Sequence, residues 1–329
     1  MSPTRIAYRE LPDSVQEHVG AIIGPVIAAD SAAEGLNSSV AARLHTPGGR
    51  YFVKALPVAH RWAWTQQREA EVAPHVATVG AALIARIVEA GWDVLVFEAL
   101  EGHRADYTPG SPDLGHVARL LARIGELRCP DTTLRLAEQR LAAYTSKDLL
   151  HHFAGESLLH TDLNPANVLV TGEEARIVDW GWATRGAAWL DAAYWVSWLI
   201  TAGHRPAQAE QQAGRIPSWR AAPAAGITAF AEANANVWAE IGTGSTDPWT
   251  LGIMAAAETW RRHRHDGPAA GPPAGTGARQ PVSSGSGGAE GQGHQGNVVV
   301  DVAEGGEEAG QRVDRSRSRG GREPGQEGL

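Results

Sequence analysis

Residues 158–182, LLHTDLNPANVLVTGEEARIVDWGW, leave little freedom in how they can fold. Asp162, Asn164, Pro165 and Asn167 are turn formers, and they run directly into the apolar stretch Val168, Leu169 and Val170. TGEE carries a hairpin signal, the chain turns at Gly172, and Arg176–Val178 reads as the returning strand. Two short antiparallel strands joined by a tight turn bring their outer ends together. Asn167 and Asp179 are therefore predicted to lie side by side, with Asp162 on the loop that feeds the first strand. Three oxygen-bearing side chains converge, and no Cys or His of ligand spacing stands beside them. Such donors suit a hard cation of the Mg2+ type, which binds through one or two carboxylates plus substrate phosphates and keeps several waters.

The rest of the chain predicts a mixed α+β architecture. Residues 26–56 read as strand, turn, strand, tight turn, strand, an antiparallel meander. A helix over 61–80 follows, then the apolar strand WDVLVFEAL at 92–100, bounded by Gly91 and Gly102. Beyond that, helix-like spacing of apolar residues predicts helices at 113–128, 132–153, 187–203, 225–241 and 249–263. The expected domains are a β-rich lobe over 1–100, a helical lobe over 101–265 joined to it by a linker near 100–104, and a tail over 266–329. That tail is rich in Gly, Pro, Ser and charge, cannot bury enough apolar surface to offset its ordering entropy, and is expected to be disordered. Its one apolar island, NVVVDV at 297–302, is too short to stand alone as a strand.

Composition excludes several classes. A chain with 43% hydrophobic and 20% charged residues is an ordinary globular protein. Cys129 is the single cysteine, which rules out an internal disulfide framework and fits a reducing compartment, so the expected location is cytoplasmic. The N-terminus lacks the apolar core of a signal peptide, and the most apolar later run, 192–202, is about half of the ~20 residues a membrane span needs. A formal charge of −8 disfavours nucleic acid as a partner.

HTDLNPAN fits the pattern H-x-D-x-x-x-x-N of protein-kinase-like catalytic loops, and VDWG stands where those enzymes carry their metal-binding D-F-G aspartate. Through VDWGWATRGAAWLDAAYW, and over roughly residues 25–265, the sequence resembles the aminoglycoside phosphotransferase family and its small-molecule kinase relatives. That resemblance implies a two-lobed protein-kinase-like fold with an antiparallel-sheet lobe and a mainly helical lobe. It implies ATP, or another nucleoside triphosphate, and Mg2+ as cofactors. By the same resemblance Asp162 is the base or orienter for a substrate hydroxyl, Asn167 and Asp179 hold Mg2+, His160 shapes the loop, and Asp191 buttresses it from a helix start. Lys54 in FVKAL takes the place of the lysine that pairs with nucleotide phosphates. Glu69 in QQREAEV is its ion-pair partner, while Glu71 points to another face. LVFEALEG stands where the adenine-binding hinge belongs, with the backbone of Glu98 and Leu100 facing the base. The first turn lacks G-x-G-x-x-G; Gly35 and the small pair Ser38 and Ser39 remain to let backbone N–H groups approach phosphates. Singly, each residue has a plainer reading: Lys54 as a solvated lysine, Glu69 as an exposed helix charge, Asp162 and Asn167 as turn and capping residues.

About a dozen residues separate Asp179 from Asp191 and no A-P-E triplet follows, which is too short for a peptide-seating activation segment. The acceptor is therefore expected to be a small hydroxylated molecule, an aminoglycoside-like antibiotic or another metabolite, bound by the segment 104–150 and the helices after 190. Trp180, Trp182 and Trp189 stand either at the mouth of that pocket as a stacking surface or, the plainer reading, in the core. Residues 201–265 hold Glu210, Glu232, Glu240, Asp247 and Glu258 against Arg205, Arg215, Arg220, Arg261, Arg262 and Arg264, so no acidic surplus awaits a polyamine. Two further readings stay open: a catalytically silent nucleotide-binding module on the same fold and, more distantly, a metal-dependent hydrolase built on His160, Asp162 and Asp179. The sequence does not specify an oligomeric state.

Overall fold

The structure, a computed structural model, describes residues 5–32 and 38–266. Strands β1 (Ala28–Ser31), β2 (Val40–Thr46) and β3 (Gly49–Pro57) form the expected antiparallel meander. Helix α1 (Asp13–Ile23) precedes them, α2 (Ala63–Val76) follows, and β4 (Leu83–Glu89) and β5 (Trp92–Glu98) complete one five-stranded antiparallel sheet in the order β1-β2-β3-β5-β4. Two elements were not expected. Helix α1 buries only Val15, Val19 and Ile23, one residue per turn, a stripe too thin to stand out in the sequence. Strand β4 alternates exposed and covered residues at the sheet edge and has a register shift between Leu83 and Ala85.

Register decides which face each side chain takes. Ala41 pairs with Lys54 and Lys54 with Leu95, while Arg43 pairs with Phe52 and Phe52 with Phe97, so all six share one face. Val40, Ala42, Leu44, Val53, Ala55, Val94 and Val96 take the other, where they pack with α1 in one apolar core. A slip of one residue would exchange the two sets and bury Lys54 under α1.

The second lobe contains α3 (Asp113–Ile124), α5 (Leu190–Thr201), α8 (Ala224–Ile241) and α9 (Pro248–Asp266), matching four of the expected helices within a few residues. The helix expected over 132–153 is not formed. That stretch instead gives β7 (Arg135–Leu136), the four-residue α4 (Ala137–Arg140) and a 3-10 helix over Lys147–His152. Its apolar spacing mimics a helix, but Arg135 and Leu136 pair in parallel with Thr184 and Arg185 of β11 (Thr184–Gly186), and tertiary pairing overrides the local pattern. Strand β11 pairs on its other side with β8 (Ser157–Leu159). Two short unexpected helices, α6 (Pro206–Ala213) and α7 (Pro217–Arg220), each begin at a proline, which is pre-set for a first helical position.

The hairpin is present as expected, as β9 (Val168–Thr171) and β10 (Glu174–Ile177), with Val168 opposite Ile177. Gly172 makes its turn with φ 63°. Strand β6 (His103–Arg104) lies against β9, and the chain enters it at Gly102, where a Cβ would collide with the Val170 carbonyl. Asp266 closes α9, so the expected tail begins one residue too early; residues 267–329 lie outside the described residues, as does Gly35. Among the described residues no helix is long and apolar enough to cross a membrane, and α5 is a buried helix.

Candidate active site

The loop between β8 and β9 is held from beneath. Asp191, in the first turn of α5, accepts the backbone N–H of His160 at 2.9 Å and of Thr161 at 2.8 Å. Those contacts hold Thr161 at φ 67°, a left-handed conformation that costs a β-branched residue on the order of 1–3 kcal/mol. The Thr161 hydroxyl adds to the hold, donating to the Trp182 carbonyl at 3.1 Å and accepting from Arg140 at 2.8 Å. His160 is fully buried; its Nε2 donates to the Val178 carbonyl at 3.0 Å and its Nδ1 accepts the Asp162 N–H at 3.2 Å. Burial lowers its pKa to about 4, so the ring is neutral and acts as a spacer between loop and hairpin.

Asp162 is 7% exposed. Asn167 donates from Nδ2 to its Oδ2 at 2.9 Å and to its carbonyl at 3.3 Å, which turns the amide so that its oxygen lies on the opposite prong. The turn Pro165–Asn167 that delivers Asn167 is capped by Asn164, whose side chain accepts from the Ala166 N–H at 2.9 Å. Burial, and then the charge of Asp179, push the Asp162 carboxyl up to about 7. Burial also raises Asp191, to about 6, against the two N–H bonds it accepts.

Opposite the loop stands an ion triad. Lys54 Nζ lies 3.0 Å from both Glu69 oxygens and 3.0 Å from Asp179 Oδ1. Burial works against the ammonium, yet Asp179 and then Glu69 outweigh it and the pKa ends above its ordinary value. Burial pushes Glu69 up while Lys54 pulls it back, and the two 3.0 Å contacts keep the pair ionised. Glu69 also accepts the Trp180 N–H at 3.3 Å. Glu71 bonds Gln67 on the exposed side of α2, as its spacing predicts. Asp179 reaches the triad from a left-handed backbone, φ 71°, and the Val178 N–H bonds the Asn167 carbonyl at 2.9 Å, which sets the outer ends of the hairpin together.

A cavity of about 330 Å³ runs along this face of the sheet; Ser38, Lys54, Glu69, Glu98, Leu100, Asn167 and Asp179 all line it. Phe52 and Ala41 cover it from the sheet and Leu169 and Val178 from the hairpin, four apolar walls that carry no sequence signal of their own. Ser39 is not brought there: its N–H bonds the Ala55 carbonyl and its carbonyl accepts from Ile6, which ties it into the sheet. The Glu98 N–H is likewise committed, to the Ala82 carbonyl at 2.9 Å, so only its carbonyl can face a base. The Leu100 N–H makes no hydrogen bond among the described residues. Of the three tryptophans, Trp180 borders the cavity, while Trp182 and Trp189 are buried in packing contacts, so the core reading holds for those two. Arg140 was missed because the residues it bonds, Thr161 and Thr184, lie 21 and 44 positions away.

Among the described residues no group of three or more His, Cys, Asp or Glu side chains could cage a metal ion. What the cavity wall offers is a carboxylate and an amide, Asp179 and Asn167, with Asp162 behind them. This donor set fits a hard cation whose remaining ligands are phosphate oxygens and water, not a resident structural metal.

The sheet with its α2 helix, the hinge and the helical lobe together make a protein-kinase-like fold. The family model of APH, the phosphotransferase enzyme family, matches residues 127–224, and the resemblance to that family read from the loop motifs is borne out. Similar solved structures include choline kinase LicA from Streptococcus pneumoniae, at 12% identity and a TM-score of 0.54 over 75% of this chain and 97% of that one. A thermostable mutant of aminoglycoside phosphotransferase APH(4)-Ia, in a ternary complex with AMP-PNP and hygromycin B, matches at 15% identity and a TM-score of 0.56 over 79% and 100%. A putative aminoglycoside phosphotransferase from Ralstonia eutropha matches at 14% and 0.51 over 77% and 98%. At such identities the likeness establishes the fold, and function has to be argued from the site. No curated protein sequence matches the chain.

Proposed function

We propose that the chain is an ATP-dependent kinase that moves the γ-phosphoryl group to a hydroxyl of a small molecule. The observation that carries this reading is the convergence on one cavity of a lysine held between two carboxylates and of Asn167, whose amide is bonded to Asp162. The adenine ring enters between Phe52 and Leu169 and pairs with the Glu98 carbonyl and the Leu100 N–H. Lys54, kept charged by Glu69, meets the phosphates. Asn167 and Asp179 hold Mg2+, which when bound neutralises charge on the transferring phosphates. Asp162 accepts the proton of the acceptor hydroxyl; its carboxyl, raised toward neutrality by burial, is a better base than an ordinary aspartate. The rate comes mostly from positioning and charge stabilisation.

Support for a small-molecule acceptor comes from the short segment between Asp179 and Asp191, which the structure fills with a single 3-10 turn, β11 and the start of α5. An aminoglycoside-like antibiotic and other hydroxylated metabolites both meet this description. ATP as donor would place the work in the cytoplasm. The test is ATP consumption by the purified chain against a panel of hydroxylated antibiotics and metabolites with Mg2+ present. Turnover with one panel member supports the reading; ATP binding without turnover across the panel would leave a silent nucleotide-binding module.

A further inference from the structure

The helix that carries Glu69 and the turn that carries Asp179 meet through three indoles and a guanidinium. Trp62 is the N-cap of α2, Trp64 lies in its first turn, and Trp182 follows Asp179 by three residues. Ring centroids of Trp64 and Trp182 are 5.1 Å apart at 90°, those of Trp62 and Trp182 5.6 Å apart at 61°, edge-to-face arrangements in which aromatic pairs attract beyond their buried area. The Arg135 guanidinium sits 4.6 Å from the Trp64 ring and 5.7 Å from the Trp182 ring, bridging the two lobes by cation–π contact. Arg140, 5.7 Å from Trp182, also donates to Thr161, which ties the same cluster to the catalytic loop.

Two details indicate that this contact is held for its geometry. Gly181 lets helix and turn touch, since a Cβ there would come within 3.1 Å of Thr65 Cβ and 3.4 Å of its carbonyl. The indole N–H groups of Trp64 and Trp182 are both buried without a hydrogen-bond partner, a desolvation cost that a junction serving stability alone would shed.

We propose that Trp62, Trp64, Trp182 and Arg135 are positioning residues, forming an aromatic junction that holds α2 against the Asp179 turn so that Glu69 meets Lys54 before any nucleotide arrives. This rests on the kinase reading of the site. It means that the ion pair is assembled by packing alone, without a modification or an activator. Loosening the junction frees the first turns of α2, Glu69 withdraws, and the phosphates meet a misplaced ammonium.

The test is ATP binding by the full chain, measured by calorimetry with Mg2+ and no acceptor, for the parent, Trp64→Ala, Glu69→Ala and the double variant. Trp64→Ala should weaken ATP binding by about tenfold, within the range of coupling energies for contacting groups. The double variant should bind no more weakly than Glu69→Ala, because both act through one ion pair, and Trp64→Phe should recover most of the loss. A purely structural tryptophan would instead give additive losses or a lowered melting temperature with ATP affinity intact, and either result overturns the proposal. Arg135→Gln opens no core cavity and gives the same reading should Trp64→Ala fail to fold: a several-fold loss, absent in the Glu69→Ala background. If the parent itself does not bind ATP, the kinase reading falls with the proposal; if the parent binds and the variants bind equally well, the junction alone is wrong.

Discussion

The two walls of the site are held by different forces. On the sheet side Lys54, Glu69 and Asp179 come from a strand, a helix and a turn far apart in sequence, and charge joins them. On the loop side Asp191 fixes His160 and Thr161 through their backbone N–H groups, the Val178 carbonyl accepts from the His160 ring, and Asn167 donates to both the carboxylate and the backbone carbonyl of Asp162. Charged side chains can exchange one partner for another of like sign, so Lys54 can turn from Asp179 to a phosphate with little loss. Backbone N–H groups buried on a carboxylate have no such substitute, and moving them strands each at about 1–3 kcal/mol. On the kinase reading, the sheet-side wall would change partners during a turnover, while the loop-side wall would stay still.

The sharpest test of that division is Asp162→Ala. It removes the proposed base without touching the ion triad, so on the kinase reading ATP affinity should stay near the parent's while transfer falls by about 10²- to 10⁴-fold, read as single-turnover rates. Equal transfer by variant and parent would remove Asp162 from the chemistry. Next in size is Asp191→Ala, which leaves the His160 and Thr161 N–H groups without an acceptor and releases the strained Thr161. Stability should drop by roughly 2–5 kcal/mol in a denaturant titration, with transfer lost as well. A variant that keeps full stability would show that the loop is not held from beneath.

How far the sequence reached follows the same division. Lys54, Glu69, Asp162, Asn167 and Asp179 were legible as a set because the proposed chemistry asks for particular residue types in that order, and the alternation of β3 puts Lys54 on the face that lines the cavity. Ser39 was misplaced because small size says nothing about which strand an amide serves. For a related reason the sequence did not reveal that the Glu98 N–H is taken by Ala82: a backbone carbonyl and a backbone N–H look identical in sequence, and only the pairing distinguishes them. The false helix at 132–153 had the spacing of a helix but lies where β11 needed a partner. Arg140, Thr161 and the tryptophan junction could not be found at all, since contacts between residues dozens of positions apart leave no local pattern.

A smaller effect separates the walls by pH. The fully buried His160 holds its pKa at about 4, against about 6.5 for an ordinary histidine. Between those values the unfolded chain binds the proton and the folded chain does not. The stability His160 contributes is therefore whole above pH 6.5 and is lost as pH falls toward 4, about 3 kcal/mol over the window. Asp162 and Asp191, with raised values, gain stability over part of the same range, so the clean measure is the difference between parent and His160→Gln. That difference should shrink on acidification; a constant difference would mean that the ring titrates in the fold as it does in the unfolded chain.

The smallest predicted effect lies at the linker after β5, where the proposed function places the base. The Glu98 N–H goes to Ala82 and the Ala99 N–H goes to Arg50 at 3.2 Å, so Leu100 carries the first amide along the linker without an acceptor among the described residues. Leu100→Pro deletes that N–H outside any strand and should leave the melting temperature close to the parent's. If the amide pairs with the base, losing one neutral hydrogen bond weakens ATP about threefold to tenfold, while Leu100→Ala, which keeps the amide, binds like the parent. Equal affinities for the two variants would move the base off the hinge, and the apolar walls at Phe52 and Leu169 would then hold it by stacking alone.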